Sequence, residues 1–98
     1  MKLTIIGSGN IYSKYNSASY LIDGKILVDI PNGTCKALKK NNIDINQIED
    51  VLITHFHGDH ISGLPGLLLT MGNADRREPL TLIGPKGLER VVNSLRVI

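Results

Sequence analysis

Residues 55–60 concentrate the metal-ligand chemistry of this chain, because their sequence is His-Phe-His-Gly-Asp-His and they contain all three of its histidines. Imidazole and carboxylate groups are common ligands of zinc and similar divalent ions. At the end of an extended strand, residues i and i+2 point to the same side, so His55 and His57 can hold one ion. A glycine then lets the backbone turn, and Asp59 and His60 face a second position. Two ions about 3.5–4 Å apart can stabilise both the attacking and the leaving oxygen of a displaced group.

The alternative interpretation of this cluster is three ordinary histidines on a polar surface loop. For a single histidine that interpretation would usually be correct. Here the cluster includes a carboxylate and directly follows the apolar residues Val51, Leu52 and Ile53. Independent surface histidines rarely occur in this arrangement, so we favour the metal site.

Strand and helix patterns around the motif predict an α/β protein with a mixed sheet. Short β-branched and apolar runs, bounded by turn residues, predict strands at Leu3–Ile6, Ala18–Ile22, Lys25–Ile30, Asp50–Thr54 and Leu80–Ile83. Helical spacing of apolar residues predicts helices at Thr34–Asn41, Gly63–Met71 and Leu88–Val97. Asp23-Gly24 predicts a hairpin turn. The hairpin start followed by strand–helix alternation indicates a layered mixed sheet.

Composition excludes several classes of protein. The 98 residues are 42% hydrophobic, which argues against disorder and permits one domain. The net charge of +2 is too small to indicate nucleic-acid or membrane binding by itself. One cysteine cannot form an internal disulfide. Because the sequence shows neither a signal peptide nor about 20 consecutive apolar residues, we expect a cytoplasmic protein without a membrane partner.

The sequence Thr-His-Phe-His-Gly-Asp-His at 54–60 resembles the signature of the metallo-β-lactamase fold hydrolases. Residues 60–68 and 78–88 are similar to ribonuclease Z, the endonuclease that matures the 3′ end of tRNA. In residues 29–34 the chain keeps only Asp29, Gly33 and Thr34 of the family pattern Asp-x-Gly-Glu-Gly-Thr. The resemblance implies the N-terminal half of an αββα sandwich, so residues 1–98 are expected to form a single, truncated half-domain.

The resemblance also implies roles for individual residues. His55 and His57 would bind the first zinc ion. Asp59 and His60 would bind the second, with Asp59 also placed to orient or deprotonate the attacking water. Asp29 would hold the histidine segment in place without binding the metal itself. The complete family site holds two ions, but no histidine follows His60 in this chain, so we expect one ion or partial occupancy.

The function implied by the resemblance is a zinc-dependent endoribonuclease that removes the 3′ trailer of tRNA precursors. Two alternatives remain open: another hydrolase of this fold acting on an ester, lactone or thioester, and a non-catalytic half-domain that self-associates. The sequence assigns no substrate-binding residue. A half sandwich would leave one sheet face open to water, which favours a homodimer. The residues expected on that face include Leu3, Ile5, Ile26, Val28, Leu52 and Leu82.

Overall fold

Five strands lie side by side in chain order in the computed structural model, which describes residues 1–7, 19–54, 56, 61–73, 76 and 78–95. The strands are β1 (Leu3–Gly7), β2 (Ser19–Ile22), β3 (Ile26–Val28), β4 (Asp50–Leu52) and β5 (Thr81–Ile83). β1, β2 and β3 pair antiparallel, whereas β3, β4 and β5 pair parallel. The predicted mixed sheet is therefore confirmed.

Two of the three helices connect the parallel strands, and the third follows β5. They are α1 (Thr34–Lys40), α2 (Leu64–Asn73) and α3 (Leu88–Leu95), with a short 3-10 helix at Ile45–Gln47. α1 leads from β3 to β4, and α2 lies between β4 and β5. Connections between parallel strands are right-handed, which puts successive helices on the same side of the sheet. The contact between α1 and α2 agrees with this arrangement.

The predicted hairpin turn joins β2 to β3. Asp23 and Gly24 have φ angles of 52° and 72°, and two successive positive φ angles are what a type I′ turn requires. The Lys25 N–H closes the turn by donating to the Ile22 carbonyl at 3.0 Å. The hairpin therefore forms where the sequence predicts it.

Most predicted elements differ from the observed ones by one or two residues at an end; the fourth strand, for example, ends at Leu52 instead of Thr54. The third strand ends at Val28 instead of Ile30, because Asp29 takes a left-handed conformation with φ 60° that leaves the extended region. The last helix is described only to Leu95. The residues after it, and most of the predicted loop at 7–17, lie outside the described residues.

One face of the sheet packs against the helices. The register aligns Thr4, Leu21, Leu27, Val51 and Leu82 in a row across the five strands. The middle three of these residues are fully buried. The prediction for Leu82 was wrong: its pairing with Val51 puts it on this helix-covered face, because side chains alternate along each strand.

The opposite face of the sheet is apolar and open. Leu3, Ile5 and Ile83 are 56%, 59% and 49% exposed, respectively. Ile26, Val28 and Leu52 share this face by register and are partly exposed. α3 does not cover them, since its Leu88, Val91 and Val92 side chains pack against the buried core.

Truncation of a core side chain in α2 tests this assignment of faces. Leu67 is 0% exposed, whereas Leu69 in the same helix is 68% exposed. We expect Leu67→Ala to lower the free energy of unfolding by about 2–5 kcal/mol, because it removes buried contacts and leaves a cavity. The matched control Leu69→Ala should change it by less than about 0.5 kcal/mol. Urea denaturation measures both values, and equal losses would contradict the packing described.

Candidate metal centre and its flanking segments

The four predicted metal ligands lie outside the described residues. They are His55, His57, Asp59 and His60. Among the residues that the structure does describe, no group of three or more His, Cys, Asp or Glu side chains could hold a metal ion. Residues 55–60 are called the metal segment below. The structure describes the residues on either side of it, Thr54 and 61–63, together with Phe56.

The residue just before the metal segment, Thr54, is held by a buried carboxylate. Asp29 is only 5% exposed. Its Oδ1 atom accepts a hydrogen bond from the Thr54 backbone N–H at 2.8 Å, and its Oδ2 atom accepts one from the Thr54 hydroxyl at 2.7 Å. Hydrogen bonds to an ionised carboxylate are among the stronger ones in proteins. Asp29 thus holds the residue that directly precedes His55.

The backbone of Asp29 is itself held on both sides. Its N–H donates to the Leu52 carbonyl at 2.8 Å, and its carbonyl accepts from the fully buried Ser19 hydroxyl at 2.9 Å. A left-handed conformation is unfavourable for a residue with a side chain and persists where its surroundings enforce it. These bonds supply that enforcement and aim the Asp29 carboxylate at the end of β4.

The chain just after the metal segment docks at Gly63 on the residues that follow Asp29. The Gly63 N–H donates to the Ile30 carbonyl at 2.7 Å. The neighbouring Pro31 carbonyl accepts from the Thr34 hydroxyl at 2.6 Å and from the Thr34 N–H at 3.2 Å. Thr54 before the metal segment and Gly63 after it are thus bonded to the same short stretch of chain, the 29–31 segment.

The turn between β5 and α3 lies next to the one described residue of the metal segment. Phe56 is partly buried and packs against the hydrophobic core. A Cβ atom added at Gly87, whose φ is 96°, would lie 3.8 Å from the Phe56 ring. This turn therefore lies beside Phe56, whereas Asp29 and Ile30 contact the residues that flank the metal segment.

No positioning role was predicted from the sequence for four residues of this arrangement: Ser19, Thr34, Thr54 and Gly63. Thr54 and Gly63 stand beside the metal motif in the sequence, and Thr34 belongs to the partly kept family pattern, so each offered a signal. Ser19 offered none, since its contact with Asp29 depends on how β2 and β3 pair.

Removal of the Thr54 hydroxyl tests the upstream contact. Thr54→Val keeps the shape of the side chain but withdraws one donor from the buried Asp29 carboxylate. We expect a loss of about 1–3 kcal/mol in the free energy of unfolding, because a buried acceptor loses a partner. Thr54→Ser, which keeps the hydroxyl, should lose less. Chemical denaturation compares the two, and a Thr54→Val variant as stable as wild type would show that this bond adds nothing.

The described part of the chain contains no helix that is long and apolar enough to cross a membrane.

The sequence matches a family model described as Anti-Pycsar protein Apyc1 over residues 1–97. Ribonuclease Z of Agathobacter rectalis is 59% identical over 85 residues, which make up 87% of this chain and 26% of that protein. Ribonuclease Z of Lachnospira eligens is 52% identical over 89 residues, or 91% of this chain and 27% of that protein.

A solved structure gives the same result for the fold. Human tRNase Z, short form (ELAC1), superposes with a TM-score of 0.83 at 32% identity, covering 99% of this chain and 40% of that one. The chain spans about a quarter of the length of these curated relatives. It belongs to the family described as Anti-Pycsar protein Apyc1 and is a homologue of ribonuclease Z with the metallo-β-lactamase fold.

Proposed function

We propose that this chain supplies the first metal-binding motif of a zinc-dependent endoribonuclease that removes the 3′ trailer of tRNA precursors in the cytoplasm. The observation that carries the proposal is the attachment of Thr54, and with it the start of the metal segment, to the buried Asp29 carboxylate. Relatives named ribonuclease Z that are up to 59% identical support the reaction class and the tRNA substrate.

The donor set of the proposed site suits zinc. Three imidazoles and one carboxylate, from His55, His57, His60 and Asp59, provide the nitrogen and oxygen ligands that this ion prefers. Bound zinc would activate water for attack at phosphorus and neutralise the negative charge that develops there. Asp59 would orient or deprotonate the attacking water, and Asp29 would hold the ligands in register through Thr54.

Zinc titration tests the proposed ligands. Four protein ligands suffice for one tetrahedral ion, so we expect about one equivalent per chain, or two bound weakly. The double variant His57→Ala, His60→Ala should lose most of the affinity. Exposed positions four residues apart on α3 provide the matched control Glu89→Ala, Asn93→Ala, which should bind zinc like wild type. Equal affinity in the two double variants would refute the assignment.

A chimaera tests the proposed reaction. The 98-residue chain alone should cleave a tRNA precursor little or not at all, because four ligands under-coordinate a second ion and a net charge of +2 attracts RNA weakly. The same chain, replacing the matching residues of the Agathobacter rectalis ribonuclease Z, should cleave at the trailer junction. The Asp59→Asn form of the chimaera should not.

The outcomes of this experiment are distinct. A folded, zinc-loaded chimaera that leaves the precursor intact, beside an active parent enzyme, would contradict the proposed function. Cleavage by the 98-residue chain alone would contradict the dependence on the remaining fold.

Two other functions stay as alternatives. The family model matching residues 1–97 carries a name other than ribonuclease Z, which favours keeping a second hydrolase of this fold in consideration. Hydrolysis of an ester, lactone or thioester by the zinc-loaded chimaera, without tRNA cleavage, would support it. Lack of metal binding by the wild-type chain, together with self-association, would instead support a non-catalytic half-domain.

We also propose that this chain forms a homodimer through the open face of its sheet. The face carries apolar side chains on every strand, and soluble monomers usually expose only a few hundred Å² of contiguous apolar surface. A two-fold pair would bury both faces at once. Each buried Å² contributes roughly 25 cal/mol, so covering a whole sheet face strongly favours association.

Light scattering on dilute protein tests the dimer. We expect a mass near twice the 10.7 kDa of one chain. Ile5→Lys puts a charge on the open face and should yield monomers. Leu69→Lys changes a similarly exposed residue on α2, which packs on the opposite face of the sheet, and should leave the dimer intact. A wild-type mass near 10.7 kDa with a cooperative melt would reject the dimer.

A further inference from the structure

We infer that Gly63 is a positioning residue for the metal segment. Its lack of a side chain lets the chain that follows the metal segment dock on the backbone of Ile30 and Pro31. This inference rests on the proposed metal site, since it concerns how the ligands at residues 55–60 are held.

The space around Gly63 leaves no room for a Cβ atom. A Cβ built there would lie 2.3 Å from the Pro31 carbonyl oxygen, 2.9 Å from the Ile30 carbonyl oxygen and 3.0 Å from the Pro31 carbonyl carbon. Real Cβ atoms essentially never approach other atoms this closely. All three neighbours are backbone atoms, so no rotation of a side chain can relieve the clash.

The backbone that Gly63 approaches cannot easily move away. Three successive carbonyls of the 29–31 segment each accept a hydrogen bond from a different part of the chain: Ser19 in β2, Gly63 itself and Thr34 in α1. Ser19 and Thr34 are 0% and 2% exposed, so both bonds are shielded from water. A side chain at residue 63 would therefore displace residue 63 and the chain attached to it, not the 29–31 segment.

The displacement would matter for metal binding because Gly63 is close to the ligands in sequence. His60 and Asp59 stand three and four residues before it. Thr54 and Gly63 are both bonded to the 29–31 segment, which fixes the distance that the metal segment must span. Metal sites tolerate only small errors in ligand position, about 0.5 Å or less.

Two glycines of α2 provide matched controls. A Cβ atom at Gly66 or at Gly72 would meet nothing within 4 Å. Gly66→Ala therefore makes the same chemical change three residues further along, without the clash.

Zinc titration and the cobalt absorption spectrum of the folded chain test the inference. We expect Gly63→Ala to weaken zinc binding by about 10–100-fold, as substitution of groups that orient metal ligands does. Its cobalt spectrum should also differ from that of wild type, which reports a changed ligand geometry. Gly66→Ala should match wild type in both measurements. A folded Gly63→Ala variant with wild-type affinity and spectrum would overturn the inference while leaving the metal site standing.

A second pair of variants tests the inference if Gly63→Ala does not fold. Thr34→Val removes the hydroxyl that holds the Pro31 carbonyl, and Thr34→Ser keeps it. The inference predicts weaker zinc binding for Thr34→Val and recovery in Thr34→Ser. Equal zinc affinity in this pair would overturn it. A wild-type chain that binds no zinc would overturn both this inference and the proposed site.

Discussion

Three consecutive backbone carbonyls, those of residues 29–31, hold the described site together. Each accepts a hydrogen bond from a separate element, and the Asp29 carboxylate adds two bonds to Thr54. Unpaired backbone groups in such a buried place would be costly, so the segment is stable only when all these elements are assembled. The conformation of residues 29–31 therefore depends on contacts from several elements, and two of those contacts come from Thr54 and Gly63, which flank the metal segment.

The topology explains why this segment has that role. β3 and β4 are parallel neighbours, so their carboxyl ends lie at the same edge of the sheet. In α/β sheets, ligands bind at the carboxyl ends of the strands. Asp29 directly follows β3 and Thr54 lies two residues after the end of β4, which puts a carboxylate directly beside the residue that precedes His55. The antiparallel hairpin contributes Ser19, which fixes Asp29 from the other side.

Much of this arrangement could be predicted from residue patterns. The Asp23-Gly24 turn, the apolar strands and the face of α2 formed by Leu64, Leu67 and Met71 are local signals, and they agree with the structure. The face assigned to Leu82 was wrong because it depends on the register between β4 and β5, which no local pattern encodes. The contacts of Ser19 and Gly63 were not predicted for the same reason, since each forms between segments distant in sequence. The ligand roles of His55, His57, Asp59 and His60 remain predictions.

Zinc X-ray absorption spectroscopy on the purified chain measures the central claim most directly, namely that the 29–31 segment presents a histidine-rich metal segment. We expect a first shell of nitrogen and oxygen atoms at about 2.0–2.2 Å. We also expect imidazole scattering that weakens in the Asp29→Ala variant. A sulfur shell near 2.3 Å, which only Cys35 or a methionine could supply, or a fully hydrated ion without imidazole scattering, would contradict it.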